Sequence, residues 1–254
     1  MKCALTIAAT DSSNGAGIGT DLSVFKEIGV YGLSVVTNVT AQNSKGVYRI
    51  NKLPTSIINA QIDVLTKDFE ISACKIGMLY SPVIVSLVAE RIERRNIKNV
   101  VLDPVMKAKD GRTLLTLPAV KRLKKYLMPK SYLITPNIAE AEYLTKLEIK
   151  NIDSAKDAAK ALFDMGAKNV LIKGGHFLEE PIDLLYDGKE FTQFMGKRLD
   201  KNMHGTGCVL SAAIAARLAL GDSLVDAVSA AKEFTCKSIM NSERLGKGGL
   251  FFRV

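Results

Sequence analysis

Apolar, strand-length runs alternate with amphipathic helical stretches along most of this chain, and that alternation restricts its fold more than any other feature. Ala4–Ala9, Leu33–Val39, Ala73–Met78, Asn99–Leu102, Tyr132–Thr135 and Val170–Lys173 read as strands. Pro82–Arg94, Pro118–Leu127 and Ser154–Met165 read as helices lying between several of them. Strands that are apolar along their whole length need cover on both faces, and a strand reached through a helix runs parallel to its predecessor. The expected architecture is α/β: a mostly parallel, doubly wound sheet with helices on both faces and ligands at the carboxyl ends of its strands. The polar segments collect at those ends. Asp11–Gly17 follows the first strand, Gln42-Asn43 the second, Asp103-Pro104-Val105 the fourth and Pro136-Asn137 the fifth. An eight-stranded barrel would need more parallel strands late in the chain. Leu184–Phe191, two short runs around Asp187-Gly188, reads as an edge hairpin. The alanine-rich helices that close the chain, broken at Gly221-Asp222-Ser223, are expected to cover one face.

At 254 residues, with no linker, repeat or low-complexity stretch, the chain reads as one domain over residues 1–254. No apolar run approaches the roughly 20 residues that cross a bilayer, so no membrane partner is expected. Met1–Ala9 reads as a strand rather than a signal peptide, and a cytoplasmic location is expected. Cys3, Cys74, Cys208 and Cys236 are scattered, without C-x-x-C pairs or metal-spaced histidines, which argues for reduced thiols and against zinc or a disulfide framework. The net charge of +9 is spread over outer helix faces, as at Arg91, Arg94 and Arg95 and at Lys121, Arg122, Lys124 and Lys125. With few aromatics and no helix-turn-helix, this argues against nucleic acid and suits small anionic substrates.

Chemistry concentrates in His204-Gly205-Thr206-Gly207-Cys208, which leads into the apolar run Val209–Ala216. A glycine turn that opens a buried helix presents free N–H groups and the positive end of the helix dipole, a site for phosphate or developing phosphoryl charge. The helix start is expected to lower the pKa of Cys208, making it a candidate base. A buried structural cysteine behind a glycine-rich entrance is the alternative. Neither better-known phosphate loop is present. Gly15-Ala16-Gly17-Ile18-Gly19 is G-x-G-x-G rather than the dinucleotide fingerprint, and no G-x-x-x-x-G-K-[ST] occurs.

Seven segments in order carry a family resemblance. They are Ala4–Ala8 leading into Asp11–Ile18, Thr40–Asn43, Lys75–Leu79, Val101–Met106, Leu133–Asn137 with Glu140, Lys173–His176 and His204–Cys208. In these the chain resembles the hydroxymethylpyrimidine/phosphomethylpyrimidine kinase branch of the ribokinase superfamily, from thiamin synthesis. The resemblance implies a ribokinase-like three-layer fold and ATP-dependent phosphorylation of a pyrimidine's primary alcohol, with phosphorylation of the monophosphate to follow. It implies a catalytic turn of Gly205, Thr206 and Gly207 with Cys208 as base, where related sugar kinases carry aspartate. It also implies substrate contacts from Ala16, Asp21, Gln42, Met78 and Val105, and nucleotide contacts from Lys173, Thr206 and Asn137. Mg²⁺ is implied at Glu140, mainly through water, with Asp103 a second acid in that zone. Relatives are often homodimers.

The chain departs from the family pattern in the substrate loop. Ala9-Thr10-Asp11 stands for Gly-Ser-Asp, Asn14 for glycine, and Gly19-Thr20 for a Gln-Ala pair. The segment Gly246–Gly249 is shorter than the usual tail. These changes bear on substrate preference more than on reaction type. A pyridoxal kinase of the same superfamily is the alternative enzyme, against which Thr40-Ala41-Gln42-Asn43 favours the pyrimidine. A ligand-binding regulator without turnover is the alternative outside enzymes. Lys107–Thr113, rich in Lys, Asp and Gly, is a candidate flap over the site.

Overall fold

A computed structural model describes residues 1–174, 181–196 and 203–252. Nine strands form one open sheet in the order β3-β2-β1-β4-β5-β6-β7-β8-β9. Its six central strands run parallel: β2 (Tyr31–Asn43), β1 (Cys3–Asp11), β4 (Ile71–Ile76), β5 (Val100–Leu102), β6 (Leu133–Ile134) and β7 (Val170–Ile172). Antiparallel strands close both edges, β3 (Gly46–Lys52) on one side and the hairpin β8 (Ile182–Tyr186) and β9 (Phe191–Met195) on the other. The expected edge hairpin is therefore present, and the sheet is open rather than a barrel.

Period-two alternation sorts each strand's side chains between two cores. Leu5, Ile7, Cys74, Ile76, Val100, Leu102, Val170 and Ile172 face α2 (Thr55–Asp68), α3 (Pro82–Arg94), α4 (Leu117–Arg122), α5 (Ile138–Thr145) and α6 (Ile152–Asp164). Ala4, Ala73, Val101, Leu133 and Leu171 face α1 (Gly17–Ile28), α7 (Thr206–Leu220) and α8 (Leu224–Met240). The small strand residues on this second face accommodate α7, whose Ala212, Ala213, Ala215 and Ala216 are buried against them. Local signals set the helix ends. Ser81 caps α3 ahead of Pro82, and Gly221 ends α7 in the left-handed conformation, with Ser223 capping α8 two residues on.

Several boundaries differ from the sequence reading. The second strand runs on to Asn43, so Gln42 lies within β2 rather than after it, and β3 and α2 add an edge hairpin and a helix that the reading lacks. Partly exposed edge strands such as β3 alternate weakly and leave little hydrophobic signal. The helix expected over Pro118–Leu127 begins as α4 and ends in a π turn at Leu123–Leu127 and a 3-10 turn at Met128–Lys130. A two-stranded ribbon, β10 (Glu243–Leu245) with β11 (Gly249–Phe251), ends the described chain.

Candidate active site

The α7 turn sits among the carboxyl ends of the central strands. Gly205, at φ 77°, is the N-cap of α7, and a Cβ there would run into the Gly15 carbonyl oxygen. No side chain caps this helix, and the Thr206 hydroxyl donates instead to the Met203 carbonyl at 3.0 Å. The N–H groups of Thr206, Gly207 and Cys208 therefore open α7 without a side-chain partner, as an anion site requires.

Cys208 is half-buried one turn into the helix. Its thiol was expected to fall below its ordinary range, and the structure corrects this. Burial is the largest influence and pushes the thiol up, with Asp21 and Asp103 adding to the shift. The Lys75 ammonium and a hydrogen bond from the Gly17 N–H pull in the opposite direction without overcoming it.

Two buried ion pairs flank the turn. Lys75 Nζ lies 2.9 and 2.8 Å from the two carboxylate oxygens of Asp21, and Thr6 Oγ1 donates to one of them at 2.6 Å. Neither charged side chain is exposed to solvent. Desolvation works against charge on Lys75, yet the Asp21 carboxylate holds it protonated, above its ordinary range. Asp21, expected at the substrate, is thus buried with its carboxylate bonded to Lys75 and Thr6. In the second pair, Lys173 Nζ lies 2.8 Å from Asp103 Oδ1, and Ser211 Oγ donates to Asp103 Oδ2 at 3.3 Å. A Cβ on Gly207 would stand 3.3 Å from Lys173 Nζ, so this lysine points at the turn rather than at bulk solvent.

Glu140 and Asn137 form a reciprocal capping box at the start of α5. Asn137 Oδ1 accepts from the Glu140 N–H at 2.9 Å, and Glu140 Oε2 accepts from the Asn137 N–H at 2.9 Å. Burial pushes the Glu140 carboxyl up to about 7, while Lys173 pulls it down and Asp103 pushes it up. Among the described residues, no cluster of three or more His, Cys, Asp or Glu side chains forms a metal site. A cation here would draw on one or two carboxylates, with water and phosphate oxygens completing its shell, which is how Mg²⁺ is commonly held.

Met78 and Val105 meet with Ala9, Val47 and Leu114 in a small apolar cluster at the strand ends, apart from the two main cores. Ala16 caps α1 beside it, half-buried. Gln42 turns toward the α7 turn, where its Nε2 donates to Asp11 Oδ2 at 3.0 Å and lies 3.0 Å from His204 Nε2. Burial would raise Asp11, but hydrogen bonds from His204 and Ser13 outweigh it and hold the carboxyl below its usual range. The ribbon supports this corner, with the Phe251 ring edge-on to His204 at 5.8 Å and the Leu250 carbonyl accepting from the His204 N–H at 2.8 Å.

The candidate flap is a tight hairpin. Lys107 bridges Thr113, and the Asp110 carboxylate accepts from the Val47 N–H at 2.8 Å, fastening the loop to β3. Gly175 and His176 of the Lys173–His176 segment lie outside the described residues. The sequence reading missed Lys75, Asp11 and His204 as site residues. For Lys75 a signal existed, a lysine inside the otherwise apolar run Ala73–Met78.

An open α/β sheet with an uncapped helix N-terminus and two lysines at its strand ends is the arrangement of a small-molecule kinase of the ribokinase-like class. Comparison with known proteins agrees. The family model described as phosphomethylpyrimidine kinase matches residues 11–251, and the chain belongs to that family. It is 43% identical to the hydroxymethylpyrimidine/phosphomethylpyrimidine kinase of Bacillus subtilis over 248 residues, covering 96% of this chain and 92% of that one. It is also 43% identical to a thiamine biosynthesis bifunctional protein of Geobacter sulfurreducens, over 96% of this chain but only 50% of that longer one. Among solved structures, phosphomethylpyrimidine kinase from Clostridium difficile matches with TM-score 0.85 and 42% identity, covering 94% of this chain and all of that one. An ADP complex of Bacillus subtilis pyridoxal kinase matches with TM-score 0.93 and 37% identity, covering 100% and 97%. The family is one of kinases, for which ATP is the implied phosphoryl donor. No helix among the described residues is long and apolar enough to cross a membrane.

Proposed function

We propose that this chain transfers the γ-phosphoryl group of ATP to the hydroxymethyl group of 4-amino-5-hydroxymethyl-2-methylpyrimidine, and then to the monophosphate so formed, in thiamin synthesis. The observation that carries the proposal is the convergence of the uncapped α7 turn, Cys208 and the Lys173–Asp103 pair at the strand ends, beside the Met78–Val105 apolar cluster. Phosphoryl transfer asks a protein chiefly for positioning and charge stabilisation, and these groups supply both.

The pyrimidine ring rests on Ala16, Met78 and Val105, with Gln42 at the polar edge. Lys173, Thr206 and Asn137 orient the nucleotide phosphates, and the N–H groups of Thr206, Gly207 and Cys208 meet the charge that develops on the transferring group. As the new O–P bond forms and the bond from the γ-phosphorus to the departing ADP breaks, the substrate hydroxyl gives its proton to the Cys208 thiolate. Because burial pushes that thiol up, thiolate is the minor form at neutral pH, so turnover rises with pH. Glu140 and Asp103 suit a hard cation held largely through water, and a bound Mg²⁺ would supply neutralisation of the phosphate charge. A single kinase domain, a cytoplasmic location and a homodimer complete the proposal. The exposed Val39 and Tyr48 of the β2–β3 edge support the homodimer.

Coupled ADP release with Mg·ATP tests this reading, with hydroxymethylpyrimidine, its monophosphate and pyridoxal as acceptors and Cys208→Ala beside the wild type. Pyrimidine turnover that rises with pH and falls about 10²–10⁴-fold in Cys208→Ala is expected. Preference for pyridoxal, which the TM-score of 0.93 to a pyridoxal kinase makes the second reading, would replace the acceptor and keep the mechanism. Saturable binding without turnover would favour a regulator.

A further inference from the structure

We propose that Lys75 is a positioning residue of this phosphoryl-transfer site, an ammonium that Asp21 holds beneath the α7 turn so that Cys208 and the incoming phosphoryl group meet fixed positive charge. The inference deepens the kinase reading and rests on it.

Alternation along β4 sends Cys74 and Ile76 to the α3 side and Ala73 and Lys75 to the side of α1 and α7. Lys75 therefore projects into the layer that α7 covers, an otherwise apolar layer of alanine, valine and leucine side chains. Asp21 reaches the same layer from α1 and Thr6 from β1. The backbone makes room for the ammonium, since a Cβ on Gly77 would stand 2.9 Å from Lys75 Nζ and 3.1 Å from the Ala8 Cβ. Among the described residues both hydrogen bonds of Nζ go to Asp21, which leaves its third N–H without a protein acceptor there. A fully buried ion pair is a poor device for stability, because well-packed apolar residues of similar volume do as well or better. Its place explains it better than its energy does. The charged groups that act on Cys208 are Lys75 from β4, Asp21 from α1 and Asp103 beyond β5, and Lys173, at the end of β7, is bound to Asp103. Lys75 is the cation among them whose own partner, Asp21, has no exposure to solvent.

The test reads the cysteine directly, without turnover. The rate of iodoacetamide alkylation at Cys208 is followed against pH by peptide mass spectrometry in the unliganded wild type, in Lys75→Met and in Asp21→Asn. Loss of the ammonium is expected to move the alkylation midpoint upward, and loss of the carboxylate, which leaves Lys75 unopposed, to move it downward. Each shift is expected to be about one pH unit, a tenfold rate change at fixed pH. A structural role alone would move both variants in one direction or neither, and that result overturns the proposal. The neutral double variant Lys75→Met/Asp21→Asn guards against misfolding of a single one. It is expected to titrate between the two, and a midpoint outside them also overturns the proposal. Kinetics add a second reading, with kcat expected to fall at least about tenfold in Lys75→Met while the acceptor KM stays within about twofold. A wild type without kinase activity but with opposed alkylation shifts would sink the kinase reading alone.

Discussion

Two lysines approach the α7 turn, each lodged against a glycine and bound to an aspartate, and their surroundings differ in a way that separates structure from chemistry. Lys75 and Asp21 have side chains 0% exposed, and both carboxylate oxygens face the ammonium. Lys173 is 14% exposed, and Asp103 gives it one oxygen while the other accepts from Ser211. Glu140 stands close enough to pull on Lys173, with its own carboxyl pushed up to about 7. The first pair is sealed from solvent. The second is partly open to solvent through Lys173, which under the proposed function turns to a phosphate while Asp103 keeps Ser211.

Removing each ammonium in turn and following urea denaturation separates the two pairs. Lys75→Met strands a buried carboxylate and is expected to cost about 3–5 kcal/mol of stability. Lys173→Met leaves Asp103 with the hydroxyls of Ser211 and Thr135 as donors, so about 1–3 kcal/mol is expected, with the main loss appearing in the KM for ATP. Equal stability losses would show that both pairs are structural.

The next largest effect concerns Glu140. Its folded-state pKa is raised, so in the absence of a cation its contribution to stability is full below the ordinary glutamate value and is lost as pH rises through about 7. A cation must displace the proton. The Mg²⁺ concentration for half-maximal activity is therefore expected to fall by up to about tenfold per pH unit below 7 and to level off above it. Glu140→Gln should flatten that dependence. A wild type with no such dependence between pH 6 and 8 would remove Glu140 from the cation site.

The smallest expected effect separates the two glycines. In Gly77→Ala the new Cβ meets a clamped lysine at 2.9 Å and the Ala8 Cβ at 3.1 Å, and overpacking of about 1–3 kcal/mol follows. In Gly207→Ala the neighbour at 3.3 Å is the tip of the partly exposed Lys173, which can move, so thermal denaturation should register less than about 1 kcal/mol. The reverse order would mean that the second pair is the rigid one.

What was legible in the sequence is what short stretches of chain decide. Apolar runs such as Val170–Lys173 set the parallel core, and Gly205-Thr206-Gly207 set an uncapped helix start. Asn137 with Glu140 three residues on set a capping box, because backbone geometry and hydrogen bonds within one turn need no distant partner. Tertiary structure alone decided which side chains share an environment. It joined Asp21 to Lys75 across 54 positions and Asp11 to His204 across 193, and placed Gln42 against both members of the latter pair. It also reversed the expectation for Cys208. The helix start was visible in the sequence, whereas burial, which outweighs the neighbouring ammonium, depends on everything packed around the sulfur. A local pattern fixes where the backbone turns, but desolvation and charge pairing belong to a volume that only the folded chain encloses.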